Sequence, residues 1–346
     1  MDVLKFEDLP DRIADVDALE ELMSRPSQAL IDDMARLEGD IAVLGVGGKI
    51  GPTLARLAKR AAPNKRVIGV ARFSDAEVKR RLEAAGIETV SCDLLEREQV
   101  AALPDAANIV YMAGKKFGTD ADRGFAWAMN TKVPALVAER YRASRIVVFS
   151  TLCVYPFGPV VSGGWDESVE PKPLGDYANS CVGRERMFHY HSARYGTPVR
   201  LMRLNYAIDM RYGVLHDVAR WVKNRAPVPL ATGHANVVWQ GDSSSQILRS
   251  LLHCTTPASP LNIGGPELAS VRQLAQAFGE RFGIAPVFDG VEAPDAWVNQ
   301  CLQAQRLFGY PIVPLGKMIE WTADWVQNDK PIHGKPTHFE ARDGGF

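Results

Sequence analysis

A glycine-rich run, GVGGKIGPT at residues 45–53, follows the apolar stretch IAVLGV and precedes a helix-like one. Gly45, Gly48 and Gly51 meet the spacing G-x-x-G-x-x-G, whereas Ile50 stands where G-x-G-x-x-G needs its third glycine. Glycine permits a tight turn and lets backbone N–H groups approach a pyrophosphate at a helix N-terminus. Lys49 is followed by Ile50 and not by Ser or Thr, so the run is no phosphate-binding P-loop. Gly45, Gly48, Lys49, Ile50 and Gly51 are therefore expected to cradle a dinucleotide, the alternative being a plain structural turn.

The second apolar run, VIGVARFSD, ends on Ala71 and Arg72. A fold that prefers NAD carries Asp or Glu there, to accept from the ribose 2′-hydroxyl. Without that carboxylate a 2′-phosphate meets no repulsion, and Arg72 can pair with it. NADP(H) is the expected cofactor, with NAD(H) the alternative and a solvated Arg72 the plain reading. Asp93, in SCDLLE after the third strand, is positioned to receive the adenine amino group.

These residues need a scaffold, and the surrounding pattern supplies one. IAVLGV, RVIGVA, NIVYMAG, RIVVFS and VRLMRLNYA read as buried strands, with helical stretches such as PTLARLAKRAA and DAEVKRRLEAA between them. Strand and helix in alternation predict an α/β fold with a Rossmann-like, doubly wound parallel sheet over residues 40–205. From residue 206 helices separated by Pro- and Gly-containing loops predict a smaller, mostly helical substrate lobe running to 346. Residues 1–39 form an acidic helical extension: the first 40 residues hold 12 Asp or Glu against 4 Lys or Arg. It is expected to pack on the domain or on a second subunit, or to be a solvated pair of helices.

Composition excludes several function classes. A net charge of -1 over 346 residues gives no electrostatic case for nucleic acid or an anionic membrane. No apolar run approaches the ~20 residues that span a bilayer. MDVLKFEDLPDR lacks the layout of a signal peptide. The 5 cysteines are scattered without a CxxC pair, as expected for free thiols in a reducing cytoplasm. The 7 histidines show no metal-ligand spacing, and no metal is expected.

Several further motifs resemble those of the NAD-dependent epimerase/dehydratase family, the extended short-chain dehydrogenases/reductases. FSTLCVYP is similar to the family's S-[ST]-x-x-V-Y-G, and DESVEPKPLGDYANS to its approach to the catalytic helix. MAGKKFG resembles A-G-x-K-x-x-G of UDP-galactose 4-epimerases, VVWQGDSSSQIL the H-V-x-D-x-A segment, and LNIGGPELASVRQLA the late N-I-G-G segment. The resemblance spans about residues 40–330. It implies Tyr177 as acid/base, Thr151 as the hydroxyl that holds the substrate oxygen, and Lys116 as a cofactor contact. It also implies that Ala113, Gly114, Lys115, Asn130 and Cys181 lie beside the cofactor. A small-molecule substrate and a homodimer paired through helices after the fourth and fifth strands are further expectations.

One position departs from the family. Lys follows the family's Tyr by four residues, on the same helix face; here that position is Cys181. A free phenol with pKa ~10 is only ~0.1% ionised at pH 7. A unit charge ~4 Å away, at an effective dielectric of ~20, is worth about 4 kcal/mol, so the loss is large. Three readings stay open: another cation, Lys116 or Lys115, substitutes; Tyr177 works unaided on an acidic substrate proton; or the chain is an inactive NADP(H)-binding sensor or scaffold. Cys181 as nucleophile or metal ligand is the least favoured, since free Cys is most often a small buried hydrophobe. For the substrate, Asn205, Tyr206, Arg211 and Trp239 are candidate wall residues, and Arg203 and Arg211 could meet a carboxylate or phosphate or equally serve as surface ion-pair partners. NYAID replaces the family's N-x-Y-G-P at residues 205–209.

Overall fold

The apolar runs form strands in a computed structural model that describes residues 2–116, 122–334 and 337–344. They are β1 (Ile41–Leu44), β2 (Val67–Ala71), β3 (Glu88–Ser91), β4 (Asn108–Tyr111), β5 (Arg145–Thr151), β6 (Val199–Leu204) and β7 (Ser259–Ile263). Together they make a seven-stranded sheet in the order β3-β2-β1-β4-β5-β6-β7, parallel at every pairing. β1 and β4 are buried at every residue, as strands covered on both faces must be. This is the Rossmann-like doubly wound sheet. Its order reverses between β1 and β4, which opens a crevice at the strands' C-terminal ends.

Helices cover both faces. Helix α1 is Val16–Met23, α2 is Gln28–Arg36 and α3 is Gly51–Ala61, while α4 (Ala76–Ala84) follows β2. On the opposite face α5 (Val133–Arg140) packs against the long α6 (Gly175–Tyr195). After β6 the chain builds α7 (Val214–Lys223), then returns through α8 (Gln240–Arg249) to lay β7 beside β6. Thus one strand beyond residue 206 belongs to the main sheet, and α8 covers it together with α2 and α3. The remaining α9 (Val271–Phe282) and α10 (Leu315–Gln327) pack with α7 into a helical C-terminal region.

The acidic extension is part of this body. Asp15 and Ser27 cap α1 and α2 by accepting from the N–H groups of Ala18 and Leu30. Leu19, Leu22 and Met23 are buried in the core shared with α7, α9 and α10. Glu20, between them, binds Arg56 of α3 at 3.3 Å, Arg81 of α4 at 2.7 Å and Arg211 at 3.1 Å. The acidity of the extension thus complements basic residues of the domain it covers. No described helix is long and apolar enough to cross a membrane, and the cysteines are all free.

Replacing Glu20 with Gln leaves the partly buried arginines short of a charged acceptor, a loss of about 1–3 kcal/mol. Urea denaturation should show that drop for Glu20→Gln, while Glu7→Gln, at an exposed position, stays within about 0.5 kcal/mol.

Candidate functional site

The glycine turn sits at the crevice. Gly45 has φ +91°, and a Cβ there would lie 2.6 Å from the backbone N of Ala113. A Cβ on Gly51 would collide with the carbonyl of Val46. Both positions exclude a side chain, and a pyrophosphate could meet bare backbone at the start of α3. Beside the turn runs a groove of about 260 Å³ lined by Gly45, Gly48, Arg72, Asp93, Ala113 and Gly114. Arg72 is exposed at its edge. Asp93 accepts from the N–H of Leu95 at 3.0 Å. Asp75, also in the groove, uses one oxygen to cap α4 through the N–H of Glu77.

A larger cavity, about 670 Å³, continues from the glycine turn between the sheet and the C-terminal region. It brings together Lys49, Ile50, Gly114, Lys115, Lys116, Thr151, Tyr177, Asn205 and Tyr206, most of the residues singled out from the sequence. Phe117 and Gly118 of MAGKKFG lie outside the described residues. Thr151 ends β5, and its Oγ1 accepts from the N–H of Cys153 at 3.2 Å, leaving its own proton for another acceptor.

Tyr177 and Cys181 are hydrogen-bonded on the inner face of α6. Burial, and after it the neighbouring Cys181 and Cys153 thiols, push the Tyr177 phenol well above its ordinary value; Arg184 pulls the other way. Burial likewise raises the Cys181 thiol. Both groups are neutral near pH 7.

Arg184 is a charged residue of this cavity that sequence reading missed. It is 5% exposed, lines the cavity, and donates to the carbonyl of Phe149 at 2.8 Å and to Asn130 Oδ1 at 2.6 Å. It lies three residues after Cys181 and seven after Tyr177, so all of them share one stripe of the helix. That stripe was the available signal. Lys116 faces the same thiols: burial lowers its pKa, and Cys153 and Cys181 oppose that shift.

Asn130 occupies a π-helical turn, Ala128–Lys132, inserted between helix Arg123–Trp127 and α5. Such turns recur at functional sites. Its amide accepts from the Lys115 N–H, donates to the Lys115 carbonyl and to Ser180 Oγ, and receives Arg184. It therefore holds the residue 113–116 loop to α6.

Asn205 and Tyr206 line the larger cavity, whereas the other expected wall residues lie elsewhere. Asn205 is 2% exposed and donates to Asn299 at 2.8 Å. Tyr206 faces the cavity with a buried hydroxyl and packs edge-on to Phe339. Arg211 is committed to Asp209 at 2.9 Å and Glu20 at 3.1 Å, and borders a separate cavity of about 320 Å³ with His216 and Arg220. Arg203 pairs at 2.8 Å with the protein's own Glu185. Trp239 lies in the helical core against Trp321. No group of three or more His, Cys, Asp or Glu among the described residues could hold a metal.

Residues 41–212 match the NAD dependent epimerase/dehydratase family. The fold is similar to UDP-glucuronic acid 4-epimerase from Bacillus cereus, solved with UDP-glucuronic acid and NAD, at TM-score 0.69 and 18% identity, over 84% of this chain and 99% of that one. It is similar also to UDP-glucose 4-epimerase from Thermus thermophilus, solved with NAD, at TM-score 0.66 and 20% identity, over 83% and 99%. The epimerase Mth375 from Methanothermobacter thermautotrophicus gives TM-score 0.69 and 16% identity, over 87% and 96%. No curated protein sequence matches the chain.

Burial, above all other causes, brings Lys49 down to about 8, with the charge of Lys116 adding to it and Asp209 opposing. At pH 7.5 about a quarter of such an amine is unprotonated, against ~0.1% for an ordinary lysine of pKa ~10.4. Amine-selective acylation followed by peptide mapping should label Lys49 with a midpoint near pH 8; a midpoint above pH 10 contradicts this environment.

Proposed function

We propose that the chain is an NAD(P)-dependent oxidoreductase of epimerase/dehydratase type. It acts on a hydroxyl or keto group of a sugar, sugar nucleotide or related metabolite. The observation that carries this reading is the meeting of Tyr177, Thr151 and a buried cation, Arg184, in one cavity beside a side-chain-free glycine turn.

Gly45, Gly48 and Gly51 would hold the cofactor's pyrophosphate, and Asp93 and Arg72 its adenosine half. The bound cofactor supplies hydride exchange and, when oxidised, a positive charge beside the phenol. Thr151 orients the substrate oxygen, and Tyr177 exchanges a proton with it. Arg184 stabilises negative charge on Tyr177 from below, in place of the ammonium that Cys181 cannot provide, and Lys116 adds charge from the loop side. Arg72 without a carboxylate at the end of β2 favours NADP(H), although the similar epimerases are solved with NAD.

A second reading keeps one observation in its favour. The Tyr177 phenol is pushed well above its ordinary value and bonded to a thiol, a state suited to a chain that binds NADP(H) without turnover. Tyr177→Phe separates the readings. As acid/base its loss should lower kcat by about 10²–10⁴-fold with cofactor affinity unchanged. No effect on any activity over a polyol and sugar-nucleotide panel, with NADPH still bound, refutes the enzyme reading. Arg184→Met should lower kcat by at least ~10-fold and move the acidic-to-basic pH profile of kcat upward, beyond the effect of Lys116→Met.

The cofactor preference has its own measurement. NADPH should bind at least ~10-fold tighter than NADH, and Arg72→Ala should remove most of that difference, as expected for loss of a charge-assisted contact of about 1.5–3 kcal/mol. Equal affinities with a neutral Arg72→Ala refute the assignment.

A further inference from the structure

The large cavity is lined by Lys49, Lys115, Lys116, Arg184 and His333, and by no Asp or Glu among its described residues. The glycine turn borders the same cavity, so a bound cofactor meets part of this charge. Lys49 borders the cavity that holds Tyr177 and not the groove that holds Arg72 and Asp93, among the described residues. Its ammonium lies 3.5 Å from the centroid of the Tyr212 ring, which belongs to the C-terminal region, so the side chain reaches across the cavity. Two carboxylates act on it: Asp209, already bonded to the N–H of Arg211 at 2.7 Å and its guanidinium at 2.9 Å, and Asp217, which accepts from Thr337. Among the described residues no ion pair joins Lys49 to a carboxylate.

Burial lowers the pKa of Lys49, and the charge of Lys116, on the wall of the same cavity, adds to it; an anion entering the cavity relieves that cost. The C-terminal segment supplies part of the cavity wall. Thr337 lines the cavity and is tied to Asp217 by its N–H at 3.0 Å and its hydroxyl at 2.7 Å, and Phe339 is fully buried against Tyr206.

We propose that Lys49, with Lys116, binds a carboxylate carried by the substrate, so that the cavity takes a hydroxy or keto acid. This rests on the enzyme reading above and narrows its substrate class. The carboxylate lies between the two ammonium groups, which sets the substrate's hydroxyl toward Thr151 and Tyr177. An ammonium point charge on a flexible stem suits an anion approached from one side, where arginine would demand a bidentate geometry.

The test is calorimetric binding to the NADP⁺-saturated chain of glycerate, threonate, tartrate, gluconate and glucuronate, against glucose and UDP-glucose. At least one acid should bind more tightly than either comparison ligand. Lys49→Met should weaken it at least ~10-fold while NADP⁺ affinity moves less than ~2-fold. Binding of none of the acids, or equal binding of glucose, overturns the inference. So does a Lys49→Met variant that loses NADP⁺ affinity and keeps acid binding, which would make Lys49 a cofactor contact. Acid binding without turnover keeps the inference and removes the enzyme reading; turnover of glucose or UDP-glucose untouched by Lys49→Met does the reverse.

Discussion

The buried guanidinium of Arg184 is the contact on which the candidate site depends. It ties α6 to the end of β5 through the Phe149 carbonyl and to the π-helical turn through Asn130. Asn130 in turn clamps both backbone groups of Lys115. Four pieces of chain distant in sequence are thus fixed to one side chain. A buried cation with too few acceptors would cost several kcal/mol, so any shift of the 113–116 loop or of α6 relative to β5 is opposed. Backbone spacing at Gly114 belongs to the same constraint, because a side chain there would run into Arg184 and Asn130.

A second buried network holds the same helix at the next residue. Glu185 accepts from Ser150 Oγ at 2.6 Å and from Arg203 at 3.1 and 2.8 Å, and Arg203 also donates to Tyr155, which donates to Asn262. These residues come from α6, β5, β6, β7 and the turn after β5. Such a network is weak evidence for net stability over a packed apolar core, since both ions must be stripped of water. Its geometric consequence is clear. Glu185 and Arg184 register α6 against the sheet, and α6 carries Tyr177.

The sheet and the glycine turn were legible in the sequence because they answer to local rules. IAVLGV, RVIGVA, NIVYMAG and RIVVFS are dominated by apolar residues, as strands covered on both faces must be. Tyr177, Thr151 and the lysines of the 113–116 loop converge for the same reason, since each lies at the C-terminal end of a strand or on the helix that follows. What was not legible depends on long-range pairing. Arg211 looked available to a ligand but meets Asp209 and Glu20, the latter 191 residues away in sequence. β7 joins the sheet after a helical excursion that reads as a separate lobe. Arg184, inside the polar run GRER, carries no local mark of burial; only its place on the Tyr177 stripe does.

The thiol at position 181 is best understood together with Arg184. In the stripe Tyr177, Cys181, Arg184, positions 181 and 184 are one helical turn apart and share a face. Two cations ~5 Å apart at an effective dielectric of ~20 repel by about 3 kcal/mol, on top of the cost of burying each one. A lysine at 181 and the guanidinium at 184 would therefore compete for one charge's worth of compensation from Asn130 and the Phe149 carbonyl. A thiol is small, neutral and soft, and its burial raises its pKa and keeps it so. Cys181 lets a single cation occupy the base of the stripe, at the cost of moving that charge one turn further from the phenol. The weaker field leaves Tyr177 protonated, while Lys116 acts on the Cys181 thiol from the loop side and Lys49 reaches across the cavity to Tyr212.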